Sequence, residues 1–176
     1  IYPDGVPSKK WRMISFPGSV NDSIINNAKG KGFTFYVWNN LEMSWDFPST
    51  IKPGNAYWFK HIYDEPFPFK SDSGVVFALE PYEIKLDQGW NMIGNPFASS
   101  VNVNVDSSEV SGLYFFGDSL NRDGWEVSSY QMRPWAGYAI YANLESSSIT
   151  LLPFSDQIES RSSSRTIDLE WVVQFS

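Results

Sequence analysis

The residues able to do chemistry are few and poorly assorted for catalysis. The chain has one histidine, His61, no cysteine, and 20 Asp and Glu. Without a thiol or a second imidazole, metal clusters built from Cys and His are excluded, as is a Cys-His nucleophile pair. A Ser-His-acid triad through His61 would need a serine raised on a strained turn, and no nucleophile-elbow sequence is present. His61 closes the aromatic stretch Tyr57-Trp58-Phe59-Lys60, where a structural imidazole is the plainer reading.

Carboxylate pairs are the machinery of glycoside hydrolysis. Asp46 and Glu126, however, each follow a tryptophan that recurs with the surrounding pattern, and a residue that recurs with a fold is expected to serve the fold. No catalytic residue is assigned, and the chain reads as a non-enzyme. Ser119-x-Asn121-x-Asp123-Gly124 approximates the first half of a calcium loop, which makes Asn121 and Asp123 candidate ligands. Ser stands where the leading acid belongs and no bidentate Glu follows at the required distance. The same residues suit a hairpin turn. Beyond such a calcium ion, no cofactor is expected.

The aromatics are the better ligand candidates. Trp11 and Trp90 recur as a pair, as do Trp45 and Trp125, and recurrence assigns all four to the core. Trp38, Trp58 and Trp135 are replaced by Phe116, Ala139 and Gly54 at the matching positions, so these three are expected to face solvent as the candidate ligand-binding residues. An exposed indole beside Asn or Asp can stack on the apolar face of a sugar ring while the polar groups meet its hydroxyls. The structural alternative is that they cover the chain's own core or pack on a neighbouring domain.

The elements that must position these side chains are set by an internal repeat. Trp11-Arg12-Met13-Ile14-Ser15-Phe16-Pro17 matches Trp90-Asn91-Met92-Ile93-Gly94-Asn95-Pro96, and Trp11 to Trp90 is a shift of 79 positions. Phe35-Tyr36-Val37-Trp38 answers Leu113-Tyr114-Phe115-Phe116, Trp45-Asp46 answers Trp125-Glu126, and Lys52 to Tyr57 answers Arg133 to Tyr138, all in the same order. This predicts an all-β chain of two pseudo-symmetric repeats of about 80 residues, packed as one continuous sandwich- or barrel-like structure. The first covers residues 1–80 and the second 81–153. Tyr82 to Asp87 and Val101 to Asp106 alternate apolar and polar residues, the pattern of a half-buried strand. At most one or two short helices are expected, the plainest being Ile24 to Ala28, capped by Asn21 or Asp22 and ended by Gly30 or Gly32.

Residues 154–166 turn polar and Ser/Arg-rich, as a linker does. In residues 167–176, Ile167, Leu169, Trp171, Val173 and Phe175 alternate with mostly polar neighbours, a terminal strand that either folds back or begins a following domain.

With 13 basic against 20 acidic residues and a net charge of −7, a nucleic-acid or anionic-membrane surface is disfavoured. No apolar run approaches the roughly 18 residues of a span, so no membrane insertion is expected. Ile1 opens the chain without a basic, apolar leader, which reads as a mature fragment or an excised segment.

The phrases Trp11 to Pro17 and Gln88-Gly89-Trp90-Asn91-Met92-Ile93-Gly94-Asn95-Pro96-Phe97, with Pro53-Gly54-Asn55-Ala56-Tyr57-Trp58, resemble a recurrent β module of large secreted or surface proteins of Bacteroidetes and related bacteria. The resemblance spans residues 9 to 153. It implies an exported, multidomain setting, a secreted or cell-surface location, neighbouring domains of the same chain as partners and no shared catalytic residues. Within it, two function classes remain: a structural or interaction module, and a carbohydrate-binding module that takes polysaccharide on exposed Trp residues. Trp135 departs from the pattern, which favours Gly there, so the turn in the second unit is expected to differ.

Overall fold

The computed structural model describes residues 5–18, 32–65, 80–117 and 124–153, and all regular structure among them is β. The strands are β1 (Arg12–Ser15), β2 (Phe33–Asn39), β3 (Ser44–Asp46), β4 (Ala56–His61), β5 (Tyr82–Leu86), β6 (Gly89–Gly94), β7 (Val101–Asn102), β8 (Val110–Gly117), β9 (Gly124–Val127), β10 (Gln131–Met132), β11 (Gly137–Ala142) and β12 (Ser147–Leu151). One four-stranded sheet runs β1-β4-β2-β3 and another β6-β11-β8-β9, with β5 paired to β12 and β7 to β10 in two small sheets. The helix expected at Ile24 to Ala28, the linker and the terminal strand lie outside the described residues.

The strands follow from aromatic and β-branched residues that fit a pleated surface, and the turns from residues tolerant of left-handed angles. Pro53-Gly54 makes a tight turn before β4: Gly54 has φ 81°, and the Asn55 amide donates to the Lys52 carbonyl at 3.4 Å, as a type II turn requires. Before β11 the same place is taken by Trp135, at φ 66°. The expected difference between the turns is therefore not in the sign of φ, because Trp135 accepts the left-handed conformation at a cost of about 1–2 kcal/mol. Both turns are tied alike: the Lys52 amide donates to the Tyr57 hydroxyl and the Arg133 amide to the Tyr138 hydroxyl, each at 2.8 Å.

In β8 the register against β11 slips between Ile140 and Tyr141, and the extra residue is Gly112 at φ 63°, a bulge of the kind that bends a strand. The alternation read in Val101 to Asp106 persists as burial, with Val101 and Val103 inside and Asn102 and Asn104 outside, but only Val101 and Asn102 enter a ladder.

Each large sheet buries one face in its own core. For the first sheet this is Ile14, Phe16, Phe35, Tyr57 and Phe59, with Phe35 and Phe59 directly opposite on β2 and β4 and their rings 4.9 Å apart. For the second it is Ile93, Leu113, Tyr138 and Ile140, covered by Ile84 and Leu86 of β5, Ile149 and Leu151 of β12, and Val101 and Met132 of β7 and β10. His61 ends β4, fully buried. Its Nε2 lies 2.7 Å from the Val6 carbonyl, which can only accept, so Nε2 carries the proton.

The two large sheets do not share one continuous ladder. They meet at isolated bridges, Ile14 with Ala136 and Asn55 with Ile93. The Ser15 amide donates to the Trp135 carbonyl at 3.2 Å and the Gly94 amide to the Gly54 carbonyl at 2.8 Å.

Candidate functional site

The faces of the two large sheets turned away from their cores are also apolar. Strand alternation puts Phe35 and Val37 in the core of the first sheet and Tyr36 and Trp38 on the opposite side; in β8 it separates Leu113 and Phe115 from Tyr114 and Phe116. Trp58 of β4, Trp45 of β3, Trp90 and Met92 of β6 and Trp125 of β9 complete this second surface. The result is an aromatic cleft with one wall from each sheet.

Cross-strand pairing builds each wall. Trp38 lies directly opposite Trp45, rings 4.9 Å apart, and Phe116 directly opposite Trp125, rings 5.5 Å apart at 80°. Trp90 faces Tyr141 at 5.3 Å. These are the tilted and edge-to-face geometries that aromatic quadrupoles favour.

Contacts across the cleft fix one wall against the other. Trp58 of the first sheet meets Phe116 of the second at 4.7 Å, edge-on. The Trp38 indole donates its N–H to the Trp90 carbonyl at 2.8 Å, and the Asn40 amide donates to the Gln88 carbonyl at 2.8 Å.

The cleft has two compartments. One holds ≈600 Å³ and is lined by Trp11, Tyr36, Trp45, Trp58 and Phe116. The other holds ≈740 Å³, between Trp38, Trp45 and Trp58 on one side and Trp90, Tyr114 and Trp125 on the other. Trp45 and Trp58 belong to both.

The tryptophan assignments made from recurrence are corrected here. Trp11, Trp45, Trp90 and Trp125 are 37%, 41%, 43% and 44% exposed, so they are not core residues. They recur because both sheets contribute matching rings to one open surface. Trp38 and Trp58 are partly buried and line the cleft. Trp135 does not: it packs on the first sheet's core, its ring 6.0 Å from Phe16 and edge-on. The signal that separates these roles is phase along the strand. Trp90 is in phase with Met92 and out of phase with the buried Ile93, and Trp38 is out of phase with the core residue Phe35.

The other candidates are not brought to the cleft. Asn121 and Asp123 lie outside the described residues, and among the described residues no group of three or more His, Asp and Glu could hold a metal ion. Asp46 is engaged in its own hairpin, accepting from Asn39 Nδ2 at 2.9 Å and Ser44 Oγ at 3.2 Å. Glu126 borders a separate ≈410 Å³ pocket with Arg133 and Tyr138. Burial raises the phenol pKa of Tyr57, and that of Tyr82 as well. The Tyr82 hydroxyl donates to the Pro53 carbonyl at 2.8 Å. Both phenols are structural ties outside the cleft.

Compared with family models, with curated proteins and with solved structures, the chain matches none.

Proposed function

We propose that this chain is a non-catalytic interaction module, a duplicated β unit of a secreted or cell-surface bacterial protein, and that its ligand is carbohydrate held in the aromatic cleft. The observation that carries the reading is the cleft itself: rings from both sheets converge on an open apolar surface that neither core uses. Contiguous exposed apolar surface of this kind is where soluble proteins bind. A pyranose ring offers an apolar C–H face to an indole and keeps its hydroxyls in water, which suits half-exposed rings better than sealed ones.

Duplication is supported by the matching strand orders, by the paired turns at Gly54 and Trp135, and by the reciprocal bonds from Ser15 to Trp135 and from Gly94 to Gly54. A pair of like units facing each other would present like rings to a shared cleft, as Trp45 and Trp125 do. The exported location rests on the resemblance of the Trp11 to Pro17 and Gln88 to Phe97 phrases.

Pull-down on insoluble polysaccharides and a glycan array test the reading, with Trp125→Ala in the cleft and Leu152→Ala, exposed elsewhere, as the control. Stacking contributes about 1 kcal/mol per ring, so micromolar to millimolar affinity is expected. Loss in Trp125→Ala and retention in Leu152→Ala support the proposal. Binding of no glycan overturns it and leaves the cleft as a seat for a neighbouring domain.

A further inference from the structure

Resting on the carbohydrate reading, we infer that the cleft selects a neutral, extended glycan whose rings carry only equatorial hydroxyls, of the β-linked glucan or xylan type, and that one chain runs through both compartments across Trp45.

Charge is the first argument. Among the described residues, neither compartment is lined by a charged side chain. A uronate or sulfate ring seated there would lose hydration without gaining a partner, an unfavourable exchange for any ion. Lys60 stands at the rim, its Nζ 5.6 Å above the Trp11 ring and so already engaged with an indole face. The chain's net charge of −7 adds a repulsive field for a polyanion.

The second argument is that aromatic rings stand on both walls. Trp45 and Trp58 come from the first sheet and Phe116 and Trp125 from the second. A sugar ring between such walls needs two apolar faces. A ring with all hydroxyls equatorial has them, whereas an axial hydroxyl would make one of the two faces polar against aromatic rings.

The third is extent. Each compartment, at ≈600 and ≈740 Å³, lies within the roughly 300–1,000 Å³ that a single small ligand fills. Because they share Trp45 and Trp58, a chain occupying one is led into the other.

Isothermal titration of the full chain in physiological salt tests this with neutral β-1,4-linked glucose and xylose oligomers, disaccharide to hexasaccharide, and with polygalacturonate. Affinity should rise at least about tenfold from disaccharide to hexasaccharide, a gain of about 1.4 kcal/mol. Trp45→Ala should weaken every length. Trp11→Ala, which touches one compartment alone, should weaken the hexasaccharide and spare the disaccharide. Thermal melts of both variants establish that they are folded, and Trp45→Phe should restore part of the binding. Length-independent affinity, or polygalacturonate bound as tightly as the neutral chains, overturns this inference while the carbohydrate reading stands. Binding of no glycan at all overturns both.

Discussion

Ser15 and Gly94 meet where the two large sheets join, so closely that a Cβ built on Gly94 would lie 2.2 Å from the Cβ of Ser15. The Asn55 carbonyl oxygen stands on the other side, 2.6 Å from the same built Cβ. Glycine is required here by close approach, since neither neighbour is the free end of a flexible chain.

Gly94→Ala should therefore destabilise the protein by about 1–3 kcal/mol, as overpacking does. Gly124→Ala adds a methyl where, among the described residues, nothing lies within 4 Å, and should change stability by no more than about 0.5 kcal/mol. Urea melts of the two variants check this; equal losses would remove the junction as a site of tight packing.

Trp90→Ala should cost about 1–2 kcal/mol, because its side chain is already partly in water. Phe59→Ala, which empties a fully buried site between Phe33 and Phe35, should cost about 3–5 kcal/mol. Denaturant melts showing Trp90→Ala as the larger loss would return that indole to the core.

Alkaline stability should depend on Tyr57. Unfolded, its phenol ionises near pH 10.0; folded, burial raises that value. The folded protein thus keeps a proton that the unfolded chain has released, so the contribution of Tyr57 is complete below about pH 10 and is lost as pH climbs through the raised value. Tyr57→Phe should cost about 1 kcal/mol at neutral pH by leaving the Lys52 amide without its acceptor. Its stability should then fall less steeply above pH 10, as read by urea melts across alkaline pH.

Residues 1–80 expressed alone should not give a cooperative fold. Phe16 would lose the Trp135 ring, and Ser15 the Trp135 and Ala136 carbonyls to which its amide and hydroxyl donate. A soluble half with a sharp thermal transition would overturn this.

How far the fold was legible follows from what alternation can say. Pro53-Gly54, the alternating Tyr82 to Leu86 and the aromatic run at Phe33 to Trp38 identify strands and turns because turn chemistry and period two are local. Which face of β2 meets the core is not local: Phe35 and Val37 on one side and Tyr36 and Trp38 on the other are all apolar, so hydrophobicity alone does not orient the strand. The cleft was illegible for the same reason, since its walls read as a second core. Trp135 misled differently, because a tryptophan in a turn looks solvent-facing until the opposite sheet, which supplies Phe16, is in place.

The Trp38 to Trp45 contact also has an optical consequence. Of the eight tryptophans in the chain, Trp11, Trp38, Trp45, Trp58, Trp90 and Trp125 line the cleft, and neighbouring indoles as close as 4.9 Å couple their electronic transitions. Ultraviolet emission and circular dichroism of this protein are thus dominated by one surface, and any molecule entering between the rings would announce itself without a label.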